Sequence, residues 1–349
     1  QHQKIVQTFW NSPRIATSNG LKAVDLFRAI DNGQIKAVWV MSTNPVVSLP
    51  EADTVKAALA KCEFVVVSDI VHTDTTAFAD VILPATAWGE KNGTVTNSDR
   101  TISRQRAFLP APGEAKADWW QICEVAKRLG WSGFDYASAA DIFREHAALS
   151  GYENSPTSTG RVFDISAVSD ISDEAYEAWQ PIQWPLTANG GTPRLFTQQH
   201  YPTASGKAQF VPTVPRLPAN KVGGEYPLVL NTGRIRDQWH TMSRTGKSAK
   251  LGGHIPEPFA SVHPYDAMLA GVKNGDLIRV KTEYGAAIVR CQTTADQGRG
   301  SVFVPIHWND QTASDARVGA LVNPAVCPAS GEPEFKHTPC WIESFYVSW

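Results

Sequence analysis

Glu63-Phe64-Val65-Val66-Val67-Ser68-Asp69 is an unbroken apolar run that closes on two polar residues. A strand with one wet face alternates apolar and polar side chains; a strand covered on both faces does not. The run therefore predicts a buried strand with a polar carboxyl end. Lys36-Ala37-Val38-Trp39-Val40-Met41, which precedes it, has the same character and stops at Ser42-Thr43-Asn44-Pro45. Val81-Ile82-Leu83-Pro84, which follows, predicts a third short strand. Helical spacing over Ala23–Ile30, with Gly33 as a stop, and over Glu51–Lys61 after Pro50 places helices before and between them. Thr73 is positioned to cap a short helix through Asp80. Strands alternating with helices imply an α/β fold with a parallel sheet covered on both faces. In such sheets ligands bind at the carboxyl ends of the strands. Those ends hold Asn44, then Ser68 and Asp69, then Glu90-Lys91 and Gly93 to Asn97. Taken singly each is an ordinary turn residue, but the polar ends recur three times. No GxGxxG is present, which argues against a plain NAD site.

Farther along, Asp118 is expected to cap a helix from Trp119 to Leu129, and Ser138 another through Leu149. Gly151 to about Gly224 is rich in Pro, Ser, Thr, Gly and Asn, and reads as a surface-crossing connection with short elements and anchored loops. Beyond it the pattern changes. Leu277 to Thr282 and Ala286 to Cys291 alternate and are joined at Tyr284-Gly285, a hairpin signal. Ser301 to Val304 is another strand, and Pro264 begins a helix ended by Gly271. Several short strands suggest a small closed barrel. The expected division is a parallel-sheet α/β domain over 1–150, a connecting segment over 151–224 and a barrel over 225–349.

The barrel opens on Leu228-Val229-Leu230-Asn231-Thr232-Gly233-Arg234-Ile235-Arg236-Asp237-Gln238-Trp239-His240-Thr241. An apolar strand leads into a glycine, two arginines, an indole and an imidazole. Glycine lets a ligand approach the backbone, arginines grip phosphate oxygens in a forked geometry, and Trp239 and His240 can lie against a heterocycle. An exposed basic turn is the alternative reading. His307-Trp308, after the Ser301 strand, could face a substrate funnel or form a packed corner. Lys336 is either a solvated charge or a phosphate ligand.

Composition narrows the classes. The 349 residues suffice for two domains with cores, and the formal net charge of −2 argues against a nucleic-acid partner. No apolar run approaches the ~20 residues of a membrane span, and no secretory leader is recognisable. The five cysteines are Cys62, Cys123, Cys291, Cys327 and Cys340; without a CxxC they signal neither an iron–sulfur cluster nor a zinc site, and they suit a reducing, cytoplasmic setting.

In order and spacing, several segments together resemble one family. They are Thr43-Asn44-Pro45, Ser68-Asp69, Ala79 to Ala85, Glu90 to Asn97, Asp118-Trp119-Trp120, Thr232 to Thr241, Phe303 to Trp308 and Phe335-Lys336. The family is that of the bis-molybdopterin guanine dinucleotide oxidoreductases, the dimethyl sulfoxide reductase superfamily. The run through Met242-Ser243-Arg244-Thr245-Gly246 looks most like the catalytic subunits of assimilatory nitrate reductases. The resemblance implies a Rossmann-like domain followed by a double-psi β-barrel. It implies Asn44, Ser68, Asp69, Lys91 and Asp118 on one guanine dinucleotide. It implies Thr232, Gly233, Arg234, Trp239, His240, Thr241 and Lys336 around the pterins and phosphates of molybdenum-bound bis-molybdopterin guanine dinucleotide. No residue of this chain is assigned a catalytic or metal-ligating role. The implied reaction is reduction of nitrate to nitrite, with electrons from ferredoxin, flavodoxin or an NAD(P)H-linked partner. A formate dehydrogenase, a non-catalytic structural subunit and a stand-alone nucleotide-binding module are the alternatives. The family's [4Fe-4S] motif and molybdenum ligand belong to an amino-terminal part that these residues do not contain, so the expectation is a fragment or a chain completed by another. Two positions depart from the family pattern. Gly319-Ala320-Leu321-Val322 stands where Asn-x-Leu-Thr is usual, and Cys327-Pro328 where Asp-Pro is usual.

Overall fold

A computed structural model describes residues 1–155, 158 and 160–346; Pro156, Thr157 and Thr159 of the connecting segment lie outside them. In chain order, α1 (His2–Phe9) and α2 (Ala23–Asp31) precede β1 (Ala37–Met41), α3 (Pro45–Ser48), α4 (Ala52–Lys61), β2 (Phe64–Asp69) and β3 (Val81–Pro84). Then come β4 (Gly93–Thr96), β5 (Thr101–Gln105), α5 (Asp118–Arg128), α6 (Ala139–Gly151), α7 (Asp173–Glu177) and the two-residue strands β6 (Ile182–Gln183), β7 (Leu186–Thr187) and β8 (Gly190–Gly191). The last third holds β9 (Leu228–Gly233), α8 (Ala249–Gly252), β10 (Phe259–Val262), α9 (Pro264–Leu269), β11 (Leu277–Lys281), β12 (Ala286–Thr293), β13 (Ser301–Pro305) and β14 (Thr338–Ser344).

These elements form two compact units. One comprises residues 1–20 and 85–214; the other comprises 21–84 and 215–349. In the second unit β1, β2 and β3 form the expected parallel sheet, with Met41 beside Ser68 and Asp69 beside Pro84. Val65 and Val67 are buried, and Phe27, Ile30, Val55 and Leu59 of α2 and α4 pack against them. That contact covers one face only: Phe64, on the other, is 46% exposed, so the described residues do not show the expected cover on both faces. The same unit contains a closed six-stranded barrel in the order β10-β12-β11-β14-β9-β13. Pairing is antiparallel except for β10 with β12 and β9 with β13. Alternate residues of β9, β11 and β12 fill its interior, among them Leu230, Ile278, Val280, Ala287 and Val289.

The first unit carries the antiparallel sheet β4-β5-β6 against α6. Ser138 caps α6 as expected, with its hydroxyl and the Asp141 carboxylate exchanging bonds with the opposite backbone amides. Three local expectations are corrected. Asp118 does not cap α5: the N-cap is Ala117, and Asp118 lies inside the first turn, its carboxylate drawn to Lys91. Thr73 does not begin a helix through Asp80. Thr73 and Thr76 bond each other reciprocally in a turn that yields only three 3-10 residues, Thr76–Phe78, before Asp80 pairs with the Val65 backbone. The segment after Gly151 is more than a surface connection. Ile165, Tyr176 and Trp179 are buried against Phe143, and the Trp179 indole donates to the Ile102 carbonyl at 3.1 Å.

Candidate functional site

The long basic stretch becomes a pinned strap. β9 continues through Gly233, three residues farther than its apolar residues suggest, because Thr232 and Gly233 pair with Val304 and Pro305 of β13. Gly233 has ordinary backbone geometry; its need for a missing side chain comes from crowding. A Cβ there would lie 3.1 Å from the Phe303 ring and 3.3 Å from the Lys336 ammonium. Lys336 donates to the Thr232 carbonyl, and the Thr232 hydroxyl donates to the Phe335 carbonyl at 3.1 Å. Lys336 is exposed but tied to the strand end by this bond.

From Arg234 to Thr241 the chain is held from beneath. The fully buried His307 accepts the Ile235 amide N–H at Nε2 (2.9 Å) and faces the His240 carbonyl with Nδ1 (2.5 Å). Those partners fix the neutral tautomer with the proton on Nδ1. Asn309 donates its side-chain amide to the Thr241 carbonyl at 2.6 Å. Gln238 is buried, donates to the Ile255 carbonyl (3.2 Å) and accepts from the Thr245 hydroxyl (2.5 Å). Asp237 meets His254 at 2.7 Å. The side chains left facing outward are Arg234, Arg236, Trp239 and His240. The Arg244 guanidinium lies over the Trp239 ring at 4.3 Å, and His240 meets that ring edge-on at 4.6 Å. Among the described residues Arg234 has no carboxylate partner, and Arg236 has only its exposed neighbour contact with Asp237.

His307 and Trp308 are the packed corner. They are 0% and 1% exposed, so neither lines a funnel. Burial pushes His307 below its ordinary value of 6.5, the nearby Arg234 charge adds to this, and the bond to the His240 carbonyl opposes it.

The sheet supplies the other side of the site, within the same unit. Asn44, at the end of β1, accepts the Thr75 hydroxyl (2.7 Å) and amide (3.2 Å) and donates to the Thr241 hydroxyl at 3.3 Å. Ser68 is fully buried and accepts the Trp39 indole N–H at 2.8 Å; Asp69 is half-buried and accepts the Ile70 amide. Asn44 and Thr241 line a small polar cavity of about 110 Å³ together with Asp74, Lys247 and Asn309. Asp74 accepts the Asp310 amide with one oxygen; the other is buried with no partner among the described residues. Lys91 and Asp118, in the other unit, bind each other, and the second Asp118 oxygen is likewise buried and unpaired there. The sequence reading missed Asp74, Asn309 and Arg317. Arg317 joins the sheet to the barrel through Asp310 (2.7 Å), Asp53 (2.5 Å) and the Val46 carbonyl (3.0 Å). Only the polar run Thr73-Asp74-Thr75 and the Asn309-Asp310 pair hinted at them.

The two departures have local causes. Gly319 sits on the carbonyl oxygens of Val47 and Leu49, and the Val322 carbonyl accepts the Glu51 amide at 3.3 Å. That corner of the barrel is occupied by α3 and the residues that follow it. Cys327 is exposed, and hydrogen bonds from Ser330 and its neighbours lower its thiol to about 7. Burial raises Cys291 to about 11 and Cys340 to about 12. Iodoacetamide at pH 7 is therefore expected to label Cys327 far faster than either. Peptide mass spectrometry over a time course checks this; equal labelling of Cys291 or Cys340 would contradict the burial described.

Comparison with known proteins agrees with this architecture. Residues 8–128 match the family model of molybdopterin oxidoreductase, and residues 228–339 match that of the molydopterin dinucleotide binding domain. The chain belongs to the molybdopterin oxidoreductase family. It is 47% identical over 343 residues to a nitrate reductase of Klebsiella oxytoca, covering 98% of this chain and 39% of that protein. It is 35% identical to the assimilatory nitrate reductase catalytic subunit of Bacillus subtilis, covering 91% and 43%. It is 31% identical to the F420-dependent formate dehydrogenase subunit alpha of Methanocaldococcus jannaschii, covering 97% and 47%. The chain thus spans less than half the length of these relatives. Acetylene hydratase from Pelobacter acetylenicus has the same fold, with a TM-score of 0.70 over 91% of this chain and 46% of its own, at 18% identity. No helix among the described residues is long and apolar enough to cross a membrane.

The residues present fit the implied cofactor. In the sheet-and-barrel unit, one buried carboxylate oxygen of Asp74 lacks a donor among the described residues, which an N–H-bearing heterocycle would supply. The strap leaves guanidinium groups and an indole exposed, the groups that bind phosphates and flat ring systems.

Proposed function

We propose that this chain is a cofactor-binding part of a molybdenum-dependent nitrate reductase. The supporting observation is the strap Arg234–Thr241, held rigid by His307 and Asn309 with its cationic and aromatic side chains outward. Arg234, Trp239, His240 and Thr241, with Thr232, Gly233 and Lys336 at the strand end, would hold the pterins and phosphates of bis-molybdopterin guanine dinucleotide. Asn44, Ser68, Asp69, Lys91 and Asp118 would serve one guanine nucleotide. Molybdenum and its dithiolenes, when bound, supply the two-electron chemistry that converts nitrate to nitrite. The residues here bind and orient; pinning the strap removes the ordering cost that a mobile loop incurs on binding. The [4Fe-4S] cluster, the metal ligand and the contact with ferredoxin, flavodoxin or an NAD(P)H-linked reductase belong to the remainder of the enzyme. The same reading makes the sheet a Rossmann-like domain, the barrel a double-psi barrel, and the setting cytoplasmic nitrate assimilation.

Formate dehydrogenase is the second reading, favoured by the archaeal relative at 31% identity over 97% of the chain. The complete subunit, assayed with nitrate and reduced viologen and with formate and oxidised viologen, separates them. Nitrite formation without formate oxidation is expected; formate oxidation without nitrite would replace the proposal with the alternative.

A further inference from the structure

We propose that His307 positions the arginine corner of the strap, Arg234-Ile235-Arg236, and releases that corner when its imidazole takes up a proton. The inference concerns the corner itself and does not depend on what the corner binds. Ile235 is the anchor. Its side chain packs against the barrel core, and its amide N–H donates to His307 Nε2 at 2.9 Å. Arg234 and Arg236 flank it and are exposed, so the placement of two guanidinium groups follows one backbone position. Neutral groups hold the strap on either side. The Gly233 carbonyl accepts the Ile306 amide (3.0 Å), the Trp239 amide donates to the Thr245 hydroxyl (3.2 Å), and the Met242 amide donates to the Trp239 carbonyl (2.7 Å). The Asp237–His254 contact (2.7 Å) also titrates, but a proton on His254 strengthens it.

The two ring nitrogens of His307 respond to a proton in opposite ways. The neutral ring offers Nδ1–H to the His240 carbonyl (2.5 Å) and a lone pair on Nε2 to Ile235. The added proton goes to Nε2 and turns this acceptor into a donor. Two N–H groups then face each other, and the Ile235 corner must move away. The bond to the His240 carbonyl survives and becomes charge-assisted. That end of the strap needs the support, since His240 and Met242 have left-handed φ values of 40° and 63°, which non-glycine residues keep only where neighbours hold them. Burial disfavours the cation most, and the charges of His240 and Arg234, both on the strap, add to this against the carbonyl bond. No carboxylate is among the groups acting on the ring. The corner is therefore fully positioned above pH 6.5 and is released as pH falls below that value.

Hydrogen–deuterium exchange of the chain at about pH 7.5 and about pH 5, read amide by amide and corrected for the intrinsic exchange rate at each pH, tests this. Protection of the Ile235 amide is expected to fall roughly tenfold at the lower pH, as one buried hydrogen bond is lost, while that of Met242 stays level. His307→Gln offers a carbonyl to the Ile235 N–H and an amide to the His240 carbonyl but takes up no proton, so its Ile235 protection should be the same at both pH values. Should that variant fail to fold, the comparison of Ile235 with Met242 in wild type decides alone. Level Ile235 protection in wild type, a matching fall at Met242, or the same fall in His307→Gln would overturn the proposal.

Discussion

Gly319→Ala is expected to destabilise the sheet-and-barrel unit by about 3 kcal/mol, the upper part of the range for overpacking. The added Cβ would lie 2.5 Å from the Val47 carbonyl oxygen, 2.6 Å from that of Leu49 and 3.3 Å from the Ala52 Cβ. None of these is the free end of a flexible side chain. Val47 is itself buried, and both carbonyls belong to α3 and its exit, so relief requires the barrel corner to move off the sheet. Gly298→Ala is the control. Gly298 has nothing within 4 Å of an added Cβ and no unusual backbone angle, so its urea midpoint should stay near wild type. Equal midpoints for Gly319→Ala and wild type would show that this corner is not tightly seated.

His307→Leu carries a comparable penalty, roughly 2–5 kcal/mol. The Ile235 N–H and the His240 carbonyl would lose their shared partner in a position with no access to water. The effect has a pH signature. His307 is held below its ordinary value of 6.5, so the unfolded chain takes up a proton before the folded one. The associated stability is complete above pH 6.5 and is lost as pH falls toward the folded value. Protonation would also turn Nε2 into a donor facing the Ile235 N–H. Wild type should therefore lose stability between pH 7 and pH 5 more steeply than His307→Leu. Urea midpoints across that range decide it, and parallel slopes for the two proteins would refute the linkage.

The parts legible in the sequence were those whose signal is local. In the runs Ala37–Met41 and Phe64–Asp69, α2 and α4 cover the face that carries Val40, Val65 and Val67, and Ser138 announces α6 through its own hydrogen bond. The hairpin β11–β12 shows as two alternating runs about a glycine. The barrel order was not legible. β9 lies between β13 and β14, whose residues come some seventy to a hundred positions later, and no short-range pattern specifies such neighbours. β10 and β14 were missed for the same reason. Asp118 read as a cap because nothing local reveals Lys91 beside it. His307 stayed undecided between funnel and core, since its two partners lie in a strap roughly seventy residues earlier. Arg234, Trp239 and His240 stand out as candidates because their chemistry lies next to a strand end within one short stretch, and the structure leaves all three exposed.

The measurement closest to the heart of this account is the cofactor content of the complete subunit carrying Arg234→Ala, by metal analysis for molybdenum and by release of guanosine monophosphate. The account predicts that both fall well below wild type together with nitrate reduction, while the urea midpoint changes little because Arg234 is exposed and unpaired among the described residues. Wild-type molybdenum, wild-type nucleotide and unchanged nitrite production would contradict it.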